Sequence, residues 1–352
     1  MKGRPRRKPA DGRNVDGTMI GHIGILGAGA WGTALAAAVR RAGRSVVLQA
    51  HEPEVADAIA REHCNARFLP GILLDAEIRT TADPAEALEA ADVVLLACPA
   101  QHLRALLRRA APAWRPGVAG VICAKGLEQG SGALLGQVFA EILPDAPVCI
   151  LSGPSFAIEV ARELPTALTL ASADAGLRHS LPAALGTPTL RIYSTDDVVG
   201  AQIGGAIKNV LAIACGIVAG RGLGDNARAA LITRGLAEMA RFAAAMGARP
   251  ETLTGLTGLG DLVLTCNALQ SRNFSLGVAL GEGRPLASVL GERITVAEGV
   301  YTAAAAVQTA RRLDIEMPIC AAVDAVLNHG ADLGETIAGL LARPRKAEVF
   351  AA

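Results

Sequence analysis

The stretch HIGILGAGAWGTALAAAVRRAG, residues 22–43, decides the fold. Its first five residues, HIGIL, are mostly apolar with two isoleucines, and read as a short buried strand. GAGAWG follows with no linker. The Ala-rich run TALAAAVRRAG then reads as a helix closed by Gly43 in a C-cap position. SVVLQA, residues 45–50, is the next strand. Strand, glycine turn, helix and strand make a dinucleotide-binding unit, with Gly27-x-Gly29-x-x-Gly32 at the turn. Gly27 permits the tight turn and Gly29 lets a pyrophosphate approach the backbone. Gly32 lets the helix pack close to the strand, and the helix N-terminus faces the phosphates. The bland alternative is a tight turn with no ligand. The second strand ends in Gln49-Ala50-His51-Glu52, with no acid at its very end for the adenosine ribose. His51 suits a 2′-phosphate and Glu52 a ribose hydroxyl, so NADP and NAD are both allowed.

Outward from that unit, the same alternation continues. ADVVLLACP (91–99), GVICAKGLE (120–128), PVCILSGPSFA (147–157) and PTALTLAS (165–172) read as strands. QHLRALLRRA (101–110) and SGALLGQVFAEIL (131–143) read as helices between them. The expected fold class is α/β: an N-terminal Rossmann-type, doubly wound, mostly parallel sheet followed by an all-α C-terminal domain. Ligands of such sheets bind beyond the strands' carboxyl ends. The first glycine turn, Pro99, Lys125 and Gly153 all fall at such ends. Strand signals fade after TLRIYSTDDVVG (189–200), and segments such as 226–247 show three- and four-residue apolar spacing. The expected domains are a dinucleotide-binding unit over 19–196 and a helical substrate unit over 197–352. Residues 1–18 are basic, rich in Pro and Gly, and have no apolar h-region. They read as a disordered tail rather than a signal peptide, with Met19 a plausible alternative start at the first strand.

Totals exclude several classes. The chain has 352 residues, too many for one compact core, so two domains are expected. A net charge of +1 and 3% aromatics leave no electrostatic or stacking case for nucleic acid. Seven cysteines without C-x-x-C spacing sit mostly in apolar runs, which points to free thiols in a reducing cytoplasm and to no metal site. Residues 198–220 are long and apolar enough to span a bilayer, but Lys208 stands at their centre. A central lysine costs roughly 2.5–3.5 kcal/mol on insertion. A buried helix and no membrane insertion are expected.

Lys208 is therefore the residue to explain. On a helix it neighbours Gly204, Gly205, Leu211 and Ala212, and two glycines would leave a trough around its ammonium. Burial lowers a lysine's pKa, as a general acid–base group near neutral pH requires. The alternative is a structural ion pair. Lys125, at a strand exit, could hold a substrate phosphate or carbonyl, or be a surface loop residue. Ser155 in SGPSFA (152–157) could contact ligand oxygens or cap a helix. Asp261, at the bend of GLTGLGDLVLTC (255–266), could pair with Lys208 or cap a helix. Ser271, Arg272 and Asn273 offer a hydroxyl, a guanidinium and an amide suited to phosphate, or form a solvated helix start.

GAGAWGTALA, AKGLE, SGPSFA, GGAIKNVLAI, GLGDLVLTC, QSRN and VAEG, in this order, resemble the bacterial NAD(P)-dependent glycerol-3-phosphate dehydrogenases over about residues 23–343. The resemblance implies reversible hydride transfer between NAD(P)H and dihydroxyacetone phosphate, giving sn-glycerol 3-phosphate for phospholipid synthesis. It implies a catalytic Lys208 and substrate contacts from Lys125, Gly153, Ser155, Asp261, Ser271, Arg272 and Asn273. It assigns Ala30, Trp31, His51, Lys125, Ala157, Arg272, Val296 and Glu298 to the cofactor. Ala30 departs from the serine of many relatives and loses a hydroxyl there. His51 matches relatives that use NADP. A homodimer is allowed. Ketopantoate or 3-hydroxyacid reductases and a non-catalytic dinucleotide-binding regulator are the rival readings.

Overall fold

The structure, a computed structural model, describes residues 19–292 and 297–345. Eight strands form one sheet: β1 His22–Leu26, β2 Ser45–Gln49, β3 Arg79–Thr81, β4 Val93–Leu96, β5 Ala119–Ile122, β6 Val148–Ser152, β7 Thr166–Ser172 and β8 Leu190–Thr195. Their order is β3-β2-β1-β4-β5-β6-β7-β8. β1 to β6 run parallel; β7 runs antiparallel to β6, and β8 follows β7. β3 is the strand that pattern reading passes over, because three residues are too few to show a period.

The central parallel strands β4 and β5 are buried and apolar throughout because helices cover both faces of the sheet, whereas the edge strand β3 is Arg79-Thr80-Thr81. Side chains alternate between two cores. Ile23, Ile25, Val93, Leu95 and Val121 join one. Leu26, Val94, Leu96, Ile122 and Ile150 join the other. Register sets Leu26 beside Leu96, and Leu96 beside Ile122. Parallel pairing therefore delivers Gly27, Pro99, Lys125 and Gly153 to one edge.

The helical half is built around Val198–Gly220, a central helix whose N-cap is Asp197; the Asp197 Oδ1 accepts from Gly200 N at 2.8 Å. It has a mean hydropathy of 1.7, and 89% of its apolar window is buried by other parts of the chain. Helices Asp225–Ala245, Asp261–Cys266, Arg272–Gly281, Gly299–Arg312 and Pro318–His329 pack around it. Their shared core includes Ile207, Leu211, Met239, Phe242, Leu276 and Ala303. The helix also reaches the sheet half, where Gln202 Oε1 accepts from Gly136 N at 2.7 Å. Lys208 thus sits on the element common to both halves.

Candidate active site

The glycine turn comes first because the rest of the site is arranged around it. Gly27 has φ +110°, and a Cβ there would lie 2.9 Å from the backbone of Ala97 and Cys98. A side chain would push the β1 and β4 exits apart and force a left-handed backbone. Gly29 is different: a Cβ there would meet no protein atom within 4 Å. The protein does not need a glycine at that point, but a ligand approaching the backbone does. Gly29 also supplies no side-chain cap to the helix Ala30–Arg41, which leaves its first N–H groups turned to that open side. The turn therefore fits a dinucleotide pyrophosphate. Ala30, Trp31 and Ala157 are half-buried against the same core, and Trp31 Nε1 is buried without a hydrogen-bond partner among the described residues. His51 is exposed just past β2.

Beyond the exits of β5 and β6, one carboxylate gathers two lysines. Lys208 Nζ donates to Asp261 Oδ1 at 2.6 Å and to Thr265 Oγ1 at 2.9 Å. Lys125 Nζ donates to Asp261 Oδ2 at 2.7 Å and to the Gly153 carbonyl at 2.9 Å. Asp261 is 1% exposed and Lys208 7%, so the cluster lies in a low-dielectric setting. Burial pushes the Lys208 ammonium down, from 10.5 to about 8, and the Asp261 carboxylate opposes it only in part. Burial also pushes the Asp261 carboxyl up, but the ammonium groups of Lys125 and Lys208 outweigh it and hold the group below its ordinary value. The alternative of Asp261 as a helix cap does not hold: Gly260 is the N-cap and Asp261 the first helical residue.

The glycines beside Lys208 do not form an open trough. A Cβ at Gly204 would overlap the Thr257 carbonyl, and one at Gly205 would lie 2.9 Å from Ser152 Oγ and 3.3 Å from Lys125 Cγ. Both glycines admit other parts of the protein, namely the turn that leads to Asp261 and the stem of Lys125. They bring the two lysines together on Asp261.

Ser271, Arg272 and Asn273 point three ways, as consecutive helical residues must. Ser271 is the N-cap of the helix Arg272–Gly281, its hydroxyl accepting from Phe274 N at 3.2 Å. Asn273 is buried; its amide donates to Asn209 Oδ1 and accepts from Gly299 N, both at 3.0 Å. Arg272 is exposed by area yet crowded by protein. That crowding lowers its guanidinium from the ordinary value, while Glu298 opposes the shift. Burial raises the Glu298 carboxyl; Ala100 N, donating to Oε1 at 2.9 Å, and Arg272 draw it back in part. Glu298 Oε2 is buried without a hydrogen-bond partner among the described residues. Ser155 donates to the Gly153 carbonyl at 3.1 Å rather than capping the next helix, whose N-cap is Phe156. Val296 lies outside the described residues. Among those residues no group of His, Cys, Asp and Glu side chains could hold a metal ion.

The family models for the NAD-dependent glycerol-3-phosphate dehydrogenase N-terminus and C-terminus match residues 22–177 and 197–338. The chain belongs to that family. A glycerol-3-phosphate dehydrogenase (NAD(P)+) of Rhodospirillum rubrum is 60% identical over 94% of this chain and 95% of its own length. That of Caulobacter vibrioides is 55% identical over 93% and 98%. The solved glycerol-3-phosphate dehydrogenase of Coxiella burnetii is 39% identical, covers 92% of this chain and 100% of its own, and superposes with a TM-score of 0.89. A ketopantoate reductase from Ralstonia eutropha, at 17% identity and a TM-score of 0.56 over 88% of this chain and 97% of its own, shares the fold alone.

The enzyme is an oxidoreductase of the CH–OH class, with NAD(P) as its cofactor. Two members of its lysine cluster have no sequence signature of their own. Thr265 follows Asp261 by four residues on one helical face and shares Lys208 with it. Asn209, next to Lys208, turns the other way; its Nδ2 donates to the Lys125 carbonyl at 3.3 Å. Asn209 thereby ties the β5 exit to Asn273 and Gly299 in the helical half.

Proposed function

We propose that the enzyme interconverts dihydroxyacetone phosphate and sn-glycerol 3-phosphate, with Lys208 as the general acid–base group. The observation that carries this reading is the buried Lys208, held between Asp261 and Thr265 at the carboxyl edge of the sheet, with its ammonium near about 8. A group so poised gives up and regains a proton near neutral pH. Gly29, Ala30, Trp31, His51, Ala157, Arg272 and Glu298 would hold the dinucleotide. That cofactor supplies or accepts hydride when bound.

Lys208 Nζ donates its proton to the ketone oxygen during reduction and recovers it from the hydroxyl during oxidation. Its charge, with that of Lys125, stabilises the developing alkoxide. Asp261 aligns both ammonium groups. Arg272, at the start of a ten-residue helix, supplies a guanidinium and a helix N-terminus for the substrate phosphate. Binding energy from that remote group fixes the carbonyl for attack. Asn209 and Asn273 tie the two halves together through their amides, and each amide nitrogen keeps a second N–H, which Asn273 could turn to the phosphate. The product suits phospholipid backbone synthesis in the cytoplasm, with the central helix serving as a core element and not as an anchor.

The test is oxidation of NADPH and of NADH by the purified protein with dihydroxyacetone phosphate, against unphosphorylated dihydroxyacetone. Turnover confined to the phosphorylated ketone is expected. Comparable turnover of both ketones would sink the assignment and favour a reductase of unphosphorylated substrates. Lys208→Ala is expected to keep cofactor binding and to lose about a thousandfold or more in kcat.

A further inference from the structure

A cofactor site that serves both NAD and NADP faces two opposed demands at one atom. The ribose 2′-hydroxyl of NAD wants an acceptor, and the 2′-phosphate of NADP wants a cation. The chain brings both groups together where β2 ends. Glu52 stands three residues past Gln49. The guanidinium of Arg67 lies 3.8 Å from Glu52 Oε1 and 3.6 Å from Glu54 Oε1. Both separations exceed hydrogen-bond length, so the pairing is loose and easily exchanged.

Arg67 is far from Glu52 in sequence terms, yet its place is fixed. Asn65, 2% exposed, donates from Nδ2 to the Ala28 carbonyl at 2.8 Å and to Thr33 Oγ1 at 2.9 Å. Its Oδ1 accepts from Phe68 N at 3.1 Å. One buried amide therefore latches the 65–69 loop to the glycine turn itself. Arg67 is thereby held beside Glu52 and Glu54, just past the β2 exit, where this fold places the adenosine ribose. Its guanidinium stacks on the Phe68 ring, 5.1 Å from the centroid, and about half of the side chain is exposed. Stacking orients the plane of the fork and leaves its N–H edge free to turn from one partner to another.

We propose that Arg67 sets the preference of the enzyme for NADP over NAD by holding the 2′-phosphate, with Glu52 as the competing acceptor for the 2′-hydroxyl. With NADP, the Arg67 fork leaves the two carboxylates for a bidentate contact on the phosphate, beside His51. With NAD, Arg67 stays with Glu54 while Glu52 takes the hydroxyl. The inference rests on reading the glycine turn as the dinucleotide site.

The experiment is equilibrium titration of the full-length enzyme with NADPH and with NADH, followed by nucleotide fluorescence at fixed ionic strength, for the wild type, Arg67→Gln, Arg67→Lys and Glu52→Gln. Arg67→Gln is expected to weaken NADPH about tenfold or more and to leave NADH within about twofold. Arg67→Lys should recover part of the loss, as a point charge without a fork. Glu52→Gln should weaken NADH and spare NADPH. Equal weakening of both nucleotides by Arg67→Gln, or no weakening of either, overturns the proposal while leaving the dinucleotide site intact. A wild-type enzyme that binds neither nucleotide overturns the site reading, and the proposal with it.

Discussion

Asp261→Asn is the substitution that most sharply tests how the lysine cluster works. The side chain keeps its shape and loses its charge. In the native site the Asp261 carboxylate lies 2.6 Å from Lys208 Nζ, and burial holds that lysine at about 8 despite it. At an effective dielectric constant of about 20, a charge pair at that distance is worth about 6 kcal/mol before solvent and neighbouring groups respond. If only a quarter of this is lost, about 1.5 kcal/mol, the lysine titrates about one pH unit lower. Reduction of the ketone needs the protonated lysine, so its kcat/KM is full below the lysine pKa and falls as pH rises through it. The wild-type profile should fall near about 8, and that of Asp261→Asn near about 7 or lower. Rates should be read as NADPH oxidation at low dihydroxyacetone phosphate, from about pH 6 to about pH 9. The oxidation direction needs the neutral lysine, so its rising limb should move the same way. A falling limb that stays near about 8 in the variant would show either that Lys208 is not the titrating group or that Asp261 is not its counter-ion.

Three more outcomes are expected. Thr265→Val removes the hydroxyl 2.9 Å from Lys208 Nζ and nearly preserves volume, so kcat should fall about tenfold with cofactor binding unchanged by titration. Gly204→Ala drives a Cβ into the Thr257 carbonyl and pushes the central helix off the turn that carries Asp261; denaturant unfolding should show a loss of about 1–3 kcal/mol, with turnover reduced. Glu238 is buried, accepts from Ile319 N at 2.7 Å and Cys320 N at 3.2 Å, and is pushed by burial from 4.5 to about 7. Its folded form binds the proton more tightly than the unfolded chain does. Stability should therefore fall as pH rises from about 4.5 to about 7, by about 3 kcal/mol, and denaturant titrations of Glu238→Gln should lack that slope.

What the sequence discloses, and what it hides, follows from how far each requirement reaches along the chain. The glycine turn is legible because its demand for small residues is local, between one strand and the next helix. Lys208 is legible because a single charge breaks a long apolar run. Its partners are legible only in part: Asp261, 53 residues on at a glycine-rich bend, reads as either an ion-pair partner or a helix cap, and Thr265 and Asn209 are ordinary polar residues until the chain closes around Lys208. Gly204 and Gly205 show the limit most clearly. A pattern shows that a small residue is required, not whether ligand or protein fills the room, and here protein fills it. Ser271, Arg272 and Asn273 look like a single binding triplet when written in a line. Ser271 caps the helix, Arg272 is exposed and Asn273 is buried, since helical rotation is about 100° per residue.

The central helix Val198–Gly220 also bears on how the chain is made. The helices that cover it are drawn from residues 225–329, all of them synthesised after it. At about 5–20 residues per second, a nascent chain carries this uncovered apolar segment for about 5–20 s before its cover exists. The same burial that drops Lys208 to a useful pKa thus leaves an unfinished polypeptide exposing a long greasy rod at the ribosome, where holding chaperones would have to shield it from aggregation until the last hundred residues arrive.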